Sequence, residues 1–306
     1  MDRFDTLQAF ARVVEAGSFT KAAQTLNMSK TTVSQLVQQL EARLRVKLLN
    51  RTTRQVKLTP EGAAYYERVV RLLGDLEDAD HALAGDLAAP RGRLRIDVPS
   101  PFARLILMPA LPEFHRRYPE IQVIMGVSDR NVDVIGENVD CVLRGGEITV
   151  PSLVARRVAN LRLGAYAAPA YLRGAGTPAH PRDLEQASHH IVGFLRSGSG
   201  TIATARIRRH RNGAEESLEL KGRYVVAADD GNACLAAGLA GMGVLWLPRY
   251  MAAPHVAAGE LTTLFEDWQL DPMPLYLAYP QNRHLSAKLR VFIEWIDELV
   301  AATQSL

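Results

Sequence analysis

Apolar residues at Phe4, Leu7, Ala11 and Val14 recur at helical spacing and give way to Gly17, which suits the left-handed residue that ends a helix. Thr20 is placed to cap a second, short helix through Leu26, whose Ala22 and Ala23 let another helix approach closely. Asn27 and Met28 supply a turn. Ser29 then caps a third helix, in which Val33, Leu36, Val37, Leu40 and Leu44 make a continuous apolar stripe. Thr31, Ser34, Gln35 and Gln38 repeat the same period one step round, with Lys30 and Thr32 beside them at the N-terminal end. Short hydroxyl and amide side chains in such a row suit base edges in a major groove. An ordinary solvated face, the alternative, is usually richer in Glu and Lys. From Lys47 to Leu58, two short apolar or alternating runs flank a polar turn carrying Arg51 and Arg54, which predicts a β-hairpin. Arginines at its tip can reach phosphates or a narrow minor groove. Residues 1–59 therefore predict a winged helix-turn-helix.

Thr59 as cap and Pro60 at the first helical position open a long helix that can run to about Ala88, with residues 60–89 forming a linker and hinge. At about 1.5 Å per residue it would span roughly 40 Å. Val69, Leu73, Leu76, Leu83 and Leu87 lie near heptad spacing, with Asp80 interrupting the stripe. Pairing with a second copy is expected, because the small winged domain offers little surface to cover so long a helix. After Leu94 the pattern changes to short strands alternating with helices, with strands near Leu94 to Val98, Ile121 to Met125 and Cys141 to Leu143. This predicts an α/β sheet that is mainly parallel. Ligands of such sheets lie outside the carboxyl ends of strands. Two segments satisfy that rule, Val98-Pro99-Ser100-Pro101 and Gly126-Val127-Ser128. Ser100 as cap and Pro101 in the first turn would leave backbone N–H groups free for a carboxylate. Alternatively Ser100 only caps its helix and Ser128 only occupies a turn.

Composition narrows the functional classes. The 306 residues favour two or three domains, and 47% hydrophobic with 23% charged residues is ordinary for a globular protein. No apolar run reaches the roughly 20 residues of a membrane span, and the first residues lack the basic start and apolar stretch of a secretory signal, so no membrane association and a cytoplasmic location are expected. The net charge of +3 conceals an asymmetry: residues 1–60 hold ten basic against four acidic side chains, leaving −3 for the rest. A polyanion partner for the first part alone follows. Cys141 and Cys234 are too few for a disulfide framework or zinc site and read as buried thiols, although redox sensing by the pair is conceivable. Arg206, Arg208, Arg209 and Arg211 read as a solvated strand or loop, and the eight histidines show no metal-ligand spacing. No P-loop, dinucleotide fingerprint, nucleophile elbow or metal motif occurs, so neither an enzyme nor a cofactor is expected. A solute-binding protein leaves the basic domain unexplained, and an architectural DNA protein leaves two hundred residues without a use.

The chain resembles the LysR-type transcriptional regulators. The likeness is carried by Phe10 through Ala23, by Val33-Ser34-Gln35 leading to Leu40-Glu41, and by Asn50-Arg51-Thr52-Thr53-Arg54 before Leu58-Thr59-Pro60-Glu61-Gly62. It continues in Leu107 through Pro119, Asp140 through Gly146, Ala168 through Leu172 and Gly238 through Gly243. Arg45 stands where the family usually has glycine and Leu49 where it often has phenylalanine. The resemblance implies contacts with double-stranded DNA, at an interrupted palindrome, from Lys30, Thr31, Thr32, Ser34 and Gln35 of the third helix and from Arg51 and Arg54 of the wing. It also implies a two-subdomain α/β effector domain similar in fold to periplasmic solute-binding proteins. Subdomain I would comprise residues 90–163 and 276–306, and subdomain II residues 164–275. A small-molecule effector, of which an organic acid is one option, would lie between them near Ser100, Pro101, Ser128 and Phe194. A homodimer or homotetramer through the linker helix is implied; a repressor of the same fold acting without a ligand is the alternative.

Overall fold

A computed structural model describes residues 2–51, 56–83, 90–130, 134, 139–148, 150–196, 200–211, 213–281 and 285–303; of Arg51 and residues 71, 75 and 77–83 only the backbone is described. Two compact units result, Met1–Ala88 and Ala89–Leu306.

In the first unit α1 (Arg3–Ala16) starts at a capping box between Asp2 and Asp5 and stops at Gly17, whose φ of 58° is left-handed. Helix α2 (Phe19–Thr25) is capped by Ser18, not Thr20. The chain turns directly from Gly17 into Phe19, so the extended residue that can cap falls two positions earlier than Thr20. Ser29 caps α3 (Lys30–Leu44) by accepting the Thr32 N–H at 3.0 Å. That helix ends at Arg45, left-handed at φ 55° without being glycine, a conformation that costs roughly 1 kcal/mol. Strands β1 (Leu49–Arg51) and β2 (Val56–Leu58) pair antiparallel as the wing, and its tip, with Arg54, lies outside the described residues. The hydroxyl of Thr59 accepts the Gly62 N–H at 2.9 Å and donates to the Lys47 carbonyl, opening α4 (Pro60–Leu83). Gly62 is required there, because a Cβ would lie 2.0 Å from the Leu48 carbonyl oxygen. Phe10, Val33, Leu36, Leu40 and Leu48 form the core, and Val69 of α4 is fully buried against it. The first half of α4 thus packs on its own domain. Leu72 and Leu76 face outward, 58% and 43% exposed.

The second unit opens with β3 (Gly92–Val98), α5 (Ser100–Phe102), a π turn at Ala103–Leu107 and α6 (Met108–Arg117). Met108 donates to the carbonyl of Ala103, five residues back, just ahead of Pro109 and Pro112, which have no N–H to give. Strands β4 (Ile121–Val127), β5 (Cys141–Gly145) and β6 (Leu153–Leu161) follow, and then β7 (Leu163–Ala167), α7 (Pro169–Ala175), β8 (Ile191–Phe194), β9 (Ala205–Arg211), β10 (Ala214–Leu220) and β11 (Tyr224–Ala228). The chain continues through α8 (Gly231–Leu239), β12 (Leu245–Pro248), α9 (Arg249–Ala257), β13 (Thr262–Leu264), β14 (Gln269–Leu270), β15 (Met273–Pro280) and α10 (Ala287–Ala302). The larger sheet has the order β4-β3-β5-β15-β6, and β7 sits between β12 and β13 in another. Among the described residues β3 with β4, β3 with β5, and β8 with β11 pair parallel, as does the single bridge of Ile191 with Val244, and the other pairings between the named strands of this unit are antiparallel. The expectation of a mainly parallel sheet is therefore corrected. It followed from the opening strand-helix alternation, whereas β15 returns from the far end of the chain, β6 turns into the sheet without a helix, and β9 with β10 form a hairpin.

Candidate nucleic-acid interface and effector site

The apolar stripe of α3 turns Val33, Leu36, Val37 and Leu40 into the core and leaves Lys30, Thr31 and Gln35 exposed on the opposite face. Ser34 is half-buried. Thr32 is also half-buried, and its hydroxyl lies 2.8 Å from that of Ser29, inside the cap. Arg51 ends β1 opposite Val56, so the backbone carries it to the wing tip.

What holds the wing to α3 is Glu41, which the sequence reading did not single out. Its carboxylate is 4% exposed, and one oxygen accepts the Leu48 and Leu49 N–H groups at 2.9 and 3.1 Å. The other meets the Lys47 ammonium at 3.3 Å. Burial pushes this carboxyl up, but the two backbone bonds and Lys47 outweigh it and the net shift is downward. A signal was available: Glu41 lies four residues after Val37, on the buried stripe.

In the second unit, β3 and β4 end where α5 and α8 begin. Ser100 is the first residue of α5 and not its cap; Pro99 occupies the cap position and no side chain caps the helix. The N–H of Ser100 is not free either, since it donates to Asp129 at 2.7 Å. The second oxygen of Asp129 accepts the N–H of Gly231, the first residue of α8, at 2.6 Å. Asn232 Nδ2 donates to Ser100 Oγ at 2.6 Å, and Arg130 pairs with Asp229 at 2.8 Å. Pro101 is buried, and a Cβ on Gly231 would come within 2.7 Å of its ring. Ser128 donates its N–H to the Val98 carbonyl. Phe194 ends β8 beside Ala228, on the strand pair that leads into α8. Beneath them, at the ends of β3 and β5, Asp97 and Arg144 form a buried ion pair. Burial raises the Asp129 carboxyl, the N–H groups of Gly231 and Ser100 oppose that, and the net shift is upward.

Ser100, Pro101 and Ser128 thus gather at one place, joined by Gly231, Asn232 and Asp129, none of which the sequence reading named. Asp129 could not be found from spacing, because its partners lie 29 and 102 residues away. Two of the four arginines of β9 are matched by acids, Arg208 by Asp271 and Arg209 by Glu216 and Asp267. Cys141 and Cys234 are free and buried, and burial pushes the Cys234 thiol up to about 11. No cluster of three metal-binding side chains occurs among the described residues.

A helix-turn-helix with an antiparallel β-hairpin is thus followed by a separate α/β unit. Residues 4–63 match the bacterial regulatory helix-turn-helix protein domain of the lysR family, and residues 88–301 match the LysR substrate binding domain. The chain belongs to the LysR family of transcriptional regulators. It is 37% identical to an HTH-type transcriptional repressor of Pseudomonas aeruginosa, over 98% of this chain and 93% of that one. It is 33% identical to the HTH-type transcriptional activator AaeR of Escherichia coli, over 97% and 94%. The solved structure of CrgA, a LysR-type regulator from Neisseria meningitidis, superposes with a TM-score of 0.59 at 32% identity, covering 96% of this chain and 98% of that one.

Proposed function

We propose that this regulator binds an interrupted palindrome as a dimer or dimer of dimers and is switched by a small molecule received where α5 and α8 begin. The proposed division is residues 1–59 for DNA, 60–89 for the linker, 90–163 with 276–306 for one effector subdomain and 164–275 for the other. Non-enzymatic action in the cytoplasm belongs to the same reading. Lys30, Thr31, Thr32, Ser34 and Gln35 contact DNA, with Arg51 and Arg54 reaching its backbone or minor groove. The carrying observation is the set of bonds from Asp129, Ser100 and Arg130 to Gly231, Asn232 and Asp229, which tie the end of the larger sheet to the start of α8. A ligand entering there must rearrange them, and a ligand favouring one arrangement shifts the population of both.

The DNA assignment is tested by two substitutions read in parallel. Gln35→Ala should change base preference at one position, whereas Arg54→Ala should weaken binding to all sequences and reduce the slope of log affinity against log salt by about 1. Equal, sequence-blind losses from both would remove Gln35 from the reading face.

A further inference from the structure

The start of a helix favours an anion because its first N–H groups have no partner within the helix. Two such starts converge here, at Ser100 and Gly231, and one carboxylate already joins them. It belongs to the chain itself. We propose that Asp129 sets the ligand class of this regulator: it fills the seat an acidic effector would take, so the site receives molecules without a carboxylate that present N–H or O–H donors. This rests on the reading of the site as an effector site.

Three observations point the same way. Both oxygens of Asp129 are engaged by backbone, at 2.7 and 2.6 Å, so the donors a ligand carboxylate needs are spent. The neighbouring charge is acidic as well. Asp229 and Asp230 precede α8, Arg130 is paired with Asp229, and Arg144, a further described cation that acts on Asp129, is paired with Asp97. A second anion would meet repulsion in a partly desolvated place, the kind of penalty by which a site rejects a wrong ligand. Independently, Asn232 uses its Nδ2 on Ser100 and leaves Oδ1 buried with no hydrogen-bond partner. A buried acceptor without a donor costs free energy until something donates to it. A ligand bringing an N–H or O–H there satisfies Asn232, and a protonated amine gains in addition from Asp129.

The test uses the full-length chain and sodium benzoate as probe, read by thermal unfolding against sodium chloride at equal ionic strength. A ligand that binds only the folded state raises the midpoint, by an amount that grows with the logarithm of its concentration over its Kd. The native protein should show no rise beyond the chloride control. Asp129→Ala, which empties the seat and frees both N–H groups, should gain a saturable rise corresponding to at least tenfold tighter benzoate binding, whereas Asp129→Asn, whose side chain still fills the seat and still accepts one N–H, should gain less. Adding Ser100→Pro, which removes one of the two N–H groups at a position where helices accept proline, should cancel that gain. The proposal is overturned if the native chain binds benzoate as well as Asp129→Ala does, if Asp129→Asn gains as much as Asp129→Ala, or if the gain survives Ser100→Pro. Footprints of the variants with benzoate separate the two readings. Benzoate binding that leaves the footprint unchanged upholds the role of Asp129 and removes the site from the switch.

Discussion

Glu41 and Asp129 are both carboxylates that accept two backbone N–H groups, yet they shift in opposite directions. At Asp129 burial, reinforced by Asp230, outweighs the two N–H groups; at Glu41 the two N–H groups, reinforced by Lys47, outweigh burial. Glu41 therefore carries a sign-specific prediction. A carboxyl lowered in the folded state stabilises the fold above its ordinary value of 4.5, and that contribution is lost as pH falls through the lower folded value. Hydrogen bonds to a charged acceptor are worth about 1.5–3 kcal/mol, so Glu41→Gln should speed exchange of the Leu48 and Leu49 amides at least tenfold at neutral pH. In the native chain their protection should fall away below pH 4.5, and in the variant it should vary little with pH. Equal protection in both proteins would show that the wing is held by the sheet pairing alone.

At the scale of elements, α4 divides its work along one helix. Val69 points into the winged domain, fully buried, whereas Leu72 and Leu76 stand one turn apart and exposed. If the exposed pair is the seam between copies, Leu72→Glu with Leu76→Glu should lower the mass in sedimentation by at least half while helix content stays unchanged. Val69→Ala should instead lower the unfolding midpoint and leave the mass alone, since it empties core volume. An unchanged mass in the double variant would move the seam elsewhere. Elements such as α3 were legible because their stripe, cap and polar row lie within one short stretch, Ser29 to Leu44. The left-handed turns at Gly17 and Asn27 were legible for the same local reason. The larger sheet was not. Its order depends on β15, which pairs with β5 and β6 more than a hundred residues earlier, and no periodicity encodes that register. The site suffered likewise: Ser100 and Ser128 follow from strand ends, but Asp129 acquires its meaning only when Gly231 arrives beside it.

For the whole molecule, the reading divides into a basic unit that meets DNA and an acidic unit that responds. Ser128→Trp would place a large ring at the junction of β4 and α5 while leaving α3 and the wing untouched. Operator affinity without effector should stay within about twofold, and the effector-dependent change in footprint should be lost. A full response in that variant would place the switch elsewhere. The position of β15 has a consequence for synthesis as well. Strands β5 and β6 do not pair with each other; both pair with β15, so the larger sheet stays open at its centre until residues 273–280 have been made. The winged unit, by contrast, draws its contacts from the first 88 residues and can fold while the rest is still emerging. A ribosome that stalls before residue 273 leaves β5 and β6 without the strand that joins them, each with a backbone edge open to pairing with another chain.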